Sequence, residues 1–196
     1  MKEKKSTDEY LSEMGYSLFD EYERAIELAD IDPGDLVFDA ATGSARMTRV
    51  LVEKGCQIVS GDIKREKLDA VKYAAPFSEV QNIHWLQLDL HQPCFRDGCL
   101  DNIVCANLFH EVRRPEAVLR QLLRIFSGKG KMVLLDFNEH GFSVVDEISQ
   151  KRHGRGHTTK EIMPCGAIES FLEKGAPHFH RIDLSLNWVY VISSKR

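Results

Sequence analysis

The sequence predicts an α/β protein built on a doubly wound, mostly parallel sheet. Two observations carry that expectation. From residue 36 onward, short apolar runs of strand length alternate with amphipathic helical stretches. Three successive runs also end at an aspartate: Asp39, Asp62 and Asp89. The carboxyl ends of the strands in an open parallel sheet share one edge, where ligands bind, so these three acids would line a common site.

The elements follow in order. Residues 6–30 read as a helix, capped by Ser6 or Thr7, with an apolar stripe through Tyr10, Met14, Leu18, Tyr22, Ile26 and Leu28. Asp32–Asp35 turns the chain into a first strand, Leu36–Phe38, that ends at Asp39. A turn of small residues, Ala40–Ala45, leads into a helix over 44–54, stopped by Gly55. A second strand over 56–61 ends at Asp62, a helix follows from Lys64, and a third strand over 82–88 ends at Asp89. The fourth strand spans 100–106, and a helix opens at Pro115, the favoured first helical position. Ser127–Gly130 closes that helix before a fifth strand over 131–137. Residues 138–163 show no continuous apolar stripe and read as the least regular segment, with Thr158-x-x-Glu161 as a capping box for a later helix. Two strand-like runs, 178–185 and 188–194, end the sequence around a tight turn. The 196 residues suit a single domain over 1–196, with an N-terminal helical cap (1–30), a core (31–137), a segment on the ligand side (138–163) and a helix with closing hairpin (164–196).

Composition narrows the function classes. A net charge of −4 argues against a large nucleic-acid footprint or an anionic membrane surface. No apolar run approaches the roughly 20 residues that cross a bilayer, and no apolar signal core follows Met1–Lys5. The five cysteines (Cys56, Cys94, Cys99, Cys105, Cys165) are odd in number and lack C-x-x-C spacing, which suits a reducing compartment. A cytoplasmic location without membrane association is expected. Neither His153 with His157, His178 with His180, nor the cysteines show the paired spacing of a structural zinc site, so no metal is expected.

The stretch Asp39-Ala-Ala-Thr-Gly-Ser-Ala45 resembles motif I (D-x-G-x-G-x-G) of the class I S-adenosylmethionine-dependent methyltransferases, type 11-like. Gly43 is kept, while Ala41 and Ala45 stand at the outer glycine positions. The order from Leu100 to Phe137 is similar to the family's region after motif I. The resemblance covers roughly residues 30–137 with a compatible tail. It implies a Rossmann-like seven-stranded sheet in the order 3-2-1-4-5-7-6, closed by a C-terminal antiparallel hairpin, and S-adenosyl-L-methionine as cofactor. It also implies cofactor contacts at Asp39, Ala41, Gly43, Ile63, Asn107 and Asp89-Leu90, the last two beside the adenine. Asp62 lies 23 residues beyond Asp39, where a nucleotide-binding βαβ unit places the acid that accepts from the ribose hydroxyls.

The expected activity is methyl transfer to a small-molecule acceptor, with His110 as the catalytic base if the acceptor must first lose a proton. Arg152 and Arg155 would favour an anionic acceptor, and Tyr16 would line its pocket from a helical flap. Two alternatives stand beside this reading: an RNA or protein methyltransferase docking through the basic 151–160 cluster, and a non-catalytic S-adenosylmethionine-binding regulator. A nicotinamide enzyme is disfavoured, because the first turn lacks G-x-G-x-x-G. The sequence leaves the oligomeric state open, a homodimer being one option.

Overall fold

The computed structural model describes residues 5–72, 77, 81–157, 165–175 and 178–193. Its framework is a seven-stranded sheet in the order β3-β2-β1-β4-β5-β7-β6. The parallel part comprises β1 (Leu36–Ala40), β2 (Gln57–Asp62), β3 (Ile83–Gln87), β4 (Asn102–Ala106) and β5 (Lys131–Phe137). The hairpin of β6 (His178–Asp183) and β7 (Asn187–Ser193) adds the antiparallel edge, with Leu134 opposite Tyr190 in the β5–β7 register. The strand order reverses at β1 and β4, where neighbouring loops diverge and leave a crevice.

Period-two alternation builds a core on each face of the sheet. Val37, Ile58, Val104, Val133, Leu135, Val189 and Val191 face one layer of helices, and Phe38, Ile103, Cys105, Met132, Leu134, Trp188 and Tyr190 face the other. The first layer comprises α2 (Leu18–Leu28), α3 (Arg46–Lys54) and α6 (Glu139–His153). The second comprises α5 (Pro115–Ile125) and α7 (Cys165–Gly175), whose Val118, Leu119, Leu122, Ile168 and Leu172 are fully buried. Helix α4 (Arg65–Lys72) lies against β2 and β3.

Two expectations are corrected here. The single helix expected over 6–30 is two, α1 (Thr7–Glu13) and α2, because Gly15 takes a left-handed conformation (φ 81°) that ends the first and Ser17 caps the second. Ser6 closes a full capping box with Glu9 at the start of α1. The segment expected to be least regular contains instead a helix of 15 residues, α6, capped by Asn138 and stopped at Gly154 (φ 69°). Its buried positions (Gly141, Val144, Val145, Ile148) make a narrow stripe, and Gly141 sits there because the helix crosses the β6–β7 turn at close range. The Thr158–Glu161 box, Lys160, Pro164 and Ser194 lie outside the described residues.

A side chain at position 141 would place its Cβ 2.0 Å from the Leu186 carbonyl oxygen, against backbone that cannot step aside. Helix propensity favours alanine by about 1 kcal/mol, but overpacking of this kind costs typically 1–3 kcal/mol and wins. Gly141→Ala should lower the urea midpoint with an unchanged slope. An equal or higher midpoint would mean that α6 does not approach the turn so closely.

Candidate active site

The turn after β1 is built from the residues beneath it. Asp39 is buried and accepts hydrogen bonds from Thr48 Oγ1 (2.5 Å) and Ser60 Oγ (2.9 Å), and Ser60 also pairs with Thr42 Oγ1 at 2.7 Å. These bonds tie the end of β1 to β2 and to α3. The amides of Ala41 and Thr42 donate to the Gly61 carbonyl (2.9 and 2.8 Å), and the Gly43 amide donates to Asp62 Oδ2 (3.0 Å). Ala41, Gly43 and Ala45 all adopt positive φ (74°, 54° and 60°), so the alanines keep the left-handed path for which glycine is the usual choice. Asp62 also accepts from the Lys64 amide at 2.9 Å, capping the approach to α4.

Above this turn lies a cavity of about 480 Å³, within the range of small-molecule sites. From the expected set, Ala41, Gly43, Asp62, Ile63, Asp89, Leu90, Asn107, His110 and Arg152 line it. Asp89 lies beyond the end of β3 and is held by the His91 amide and Nδ1, each at 2.9 Å, and the His91 contacts keep its pKa low. Asn107 (φ 50°) donates from Nδ2 to the buried Tyr22 hydroxyl at 2.8 Å. Its Oδ1 is buried with no hydrogen-bond partner among the described residues, which suits a ligand that brings a donor.

Three expected residues fall elsewhere. Asp39 lies under the turn and does not line the cavity, because Thr48 and Ser60 already engage its carboxylate. Tyr16 is drawn away by the helix break and bonds His140 Nε2 at 2.7 Å beside a separate, smaller cavity. Arg155 follows the Gly154 stop and is exposed outside the cavity.

The β4–β5 side holds what the sequence reading missed. Asp136, near the end of β5, is buried and lies 2.6 Å from His110 Nδ1. It also accepts from the His110 amide (3.1 Å) and the Phe137 amide (2.8 Å). An aspartate inside the apolar run K-M-V-L-L-D-F was the available signal. His110 is 2% exposed, with the rings of Phe137 and Phe142 each 5.4 Å from its own. The His157 ring lies 5.3 Å away, its pKa lowered by burial and by His110. Arg152, on α6, reaches Thr7 Oγ1 of α1 (2.5 Å), and Asp8 of α1 pairs with Arg46 of α3 (2.9 Å), so α1 bridges both sides of the cavity.

Comparison with known proteins agrees with this geometry. The family profile described as "Methyltransferase domain" matches residues 38–134, from within β1 to within β5. The match supports a class I S-adenosylmethionine-dependent methyltransferase. Curated relatives include the ubiquinone/menaquinone biosynthesis C-methyltransferases UbiE of Ectopseudomonas mendocina (28% identical over 120 residues, 59% of this chain and 47% of that protein) and Vibrio vulnificus (24% over 128 residues, 63% and 49%). The chain thus spans about half the length of the curated relatives it matches. Solved structures with the same fold include a SAM-dependent methyltransferase from Aquifex aeolicus (TM-score 0.68, 15% identity, 87% of this chain and 88% of that one). The CMeT domain of the citrinin polyketide synthase is another (TM-score 0.73, 16% identity, 97% and 56%). S-adenosylmethionine is the cofactor that this methyltransferase family and fold imply, and the turn, Asp62 and the orphaned Asn107 Oδ1 fit it. No helix among the described residues of this methyltransferase is long and apolar enough to cross a membrane.

The buried Asp39 gives the methyltransferase a pH signature. Burial raises its pKa from 3.8 to about 6, against the opposing hydrogen bonds of Thr48 and Ser60. Folding therefore favours the neutral carboxyl. Its contribution is fully present below pH 3.8 and is lost as pH rises through about 6, a change of about 3 kcal/mol. Asp39→Asn does not titrate, so its unfolding free energy in urea should fall less than that of the parent between pH 4 and 6. Parallel curves would mean that Asp39 is not desolvated.

Proposed function

We propose that the chain transfers a methyl group from S-adenosylmethionine to a carbon atom of a small anionic acceptor, with His110 as the general base. The observation that carries this reading is the His110–Asp136 pair at the wall of the cofactor cavity. Bound S-adenosylmethionine supplies an electrophilic methyl group on a sulfonium centre. The chain's own residues do the rest. Asp62 offers its carboxylate to the ribose hydroxyls while holding the Gly43 amide, and Asp89 with Leu90 bounds the adenine. Asp136 fixes the His110 tautomer with the proton on Nδ1, which leaves Nε2 to take a proton from the acceptor. The apolar walls around His110 limit water and favour an in-line approach, where positioning alone supplies much of the rate enhancement. Carbon as the accepting atom is supported by the names of the curated relatives, and an anionic acceptor by Arg152 on the cavity wall. Free Cys56, Cys94, Cys99 and Cys105 suit a reducing, cytoplasmic setting.

Calorimetric titration should give saturable binding of S-adenosylmethionine and its demethylated product, and none of NAD. Binding of NAD alone would overturn the reading. Hydrogen bonds that a carboxylate accepts from ribose hydroxyls are worth roughly 1.5–3 kcal/mol each, so Asp62→Ala should weaken cofactor binding about tenfold to a few hundredfold. An unchanged affinity would confine Asp62 to holding Gly43 and Lys64.

With an acceptor in hand, His110→Ala should lower kcat on the order of 10²- to 10⁴-fold while cofactor affinity holds. Asp136→Asn should lower kcat as well, because Nδ1 loses the carboxylate that fixes the tautomer. Full turnover without His110 would leave positioning as the whole of catalysis.

A further inference from the structure

The fold brings together three side chains that carry no spacing signature in the sequence. His110 and Glu111 follow β4, and His157 follows the Gly154 stop of α6. One ligand-capable atom from each lies within 4.8 Å of the others, and all three residues line the cavity. We propose that His110, Glu111 and His157 bind a divalent transition-metal ion, with an open coordination position facing the acceptor.

Four features of the surroundings support a built site. Asp136 engages His110 Nδ1 at 2.6 Å, which leaves Nε2 on the side of Glu111, whose Oε1 is 3.8 Å away. A carboxylate that orients a histidine in this way is the usual support behind a metal ligand. His157 Nε2 is buried without a hydrogen-bond partner among the described residues, a cost that a metal bond would remove. The His157 backbone is fixed independently, its amide donating to Asp146 Oδ1 at 2.7 Å. Glu111 is the exposed member, with a side chain 54% exposed, so its carboxylate has room to close the last distance to ligand geometry.

Two imidazoles and one carboxylate suit zinc, cobalt, nickel or ferrous iron better than calcium or magnesium. Three protein ligands with an open position make the arrangement of a reactive centre; structural zinc sites are closed by four. The fourth ligand would be an acceptor oxygen, such as an enol, a phenol or a 1,3-dicarbonyl. This rests on the reading above for the acceptor's location and replaces the role given there to His110. With the ion in place, His110 Nε2 would be a ligand and not a base; coordination would lower the acceptor's own pKa, so that it binds as its anion with its proton released to solvent water.

The test is a titration of the tag-free, metal-stripped chain with cobalt(II) chloride, read by visible absorption. A saturable d–d band at one equivalent is expected, and acetohydroxamate should perturb it by filling the open position. His157→Ala and Glu111→Gln should each weaken cobalt binding at least about tenfold, and Asp136→Asn by about 10–100-fold. Circular dichroism of His157→Ala should match the parent, since its Nε2 has no hydrogen-bond partner among the described residues. Absence of a saturable band would overturn the site, as would a band unchanged in both ligand variants. So would a thiolate charge-transfer band lost in a Cys94→Ser, Cys99→Ser double variant, which would move the ion to the exposed cysteines. Calorimetry with S-adenosylmethionine separates the two readings. Cofactor binding without cobalt removes only the metal, and cobalt binding without cofactor removes the methyltransferase reading.

Discussion

The carboxylate of Asp39, buried between Thr48 and Ser60, is the interaction on which the cofactor side of the molecule depends. Burying a carboxylate is costly, and its raised pKa records that cost. What the arrangement provides is a rigid joint among β1, β2 and α3 directly below the motif turn. On that joint the turn can hold Ala41 and Ala45 in left-handed backbone, roughly 1–2 kcal/mol unfavourable for each residue with a Cβ. The strain is tolerated because the amides of Ala41, Thr42 and Gly43 have fixed acceptors in Gly61 and Asp62. The path of this turn is thus set by where its amides bond, and glycine is one way, not the only way, to follow it.

The reversal of strand order at β1 and β4 then divides the work. The ends of β2 and β3 point Asp62 and Asp89 at one part of the cavity, and the segment after β4 points Asn107 and His110 at another, with Asp136 of β5 buried behind His110. Neighbouring strands lie about 4.8 Å apart, so β2 and β5, three spacings distant in the sheet, are roughly 14 Å apart. That span accommodates an extended cofactor with an acceptor beyond it.

What was legible in the sequence was what local periodicity records. The strand runs, the Gly55 stop, Pro115 at the start of α5 and the turn at Gly43 are each specified within a few residues, and each forms where expected. Helix α6 was not legible, since its stripe is narrow and its glycine looks like a breaker until the β6–β7 turn is packed against it. Tyr16 and Arg155 were misplaced for the complementary reason. A left-handed glycine at position 15 or 154 redirects the chain, and no pattern of apolar residues reports the new direction. Asp136 and His157 meet His110 across 26 and 47 residues of sequence, which only the assembled sheet can bridge.

The two halves of the site also differ in what they are made of. Around the turn the important donors are backbone amides, so the fold itself carries them and the side chains need only be small. On the β4–β5 side the chemistry belongs to side chains, His110, Glu111, Arg152 and His157, mounted on elements whose packing is provided by other residues. Phe109 and Val112 are buried or packed against the core on either side of His110 and Glu111, and Val145 and Ile148 anchor α6 beneath Arg152. The fold is accordingly shared at 15–16% identity with the Aquifex aeolicus and citrinin synthase proteins. Specificity for the acceptor has to be sought in those few side chains, because the sheet and the turn place equal constraints on every chain that shares them.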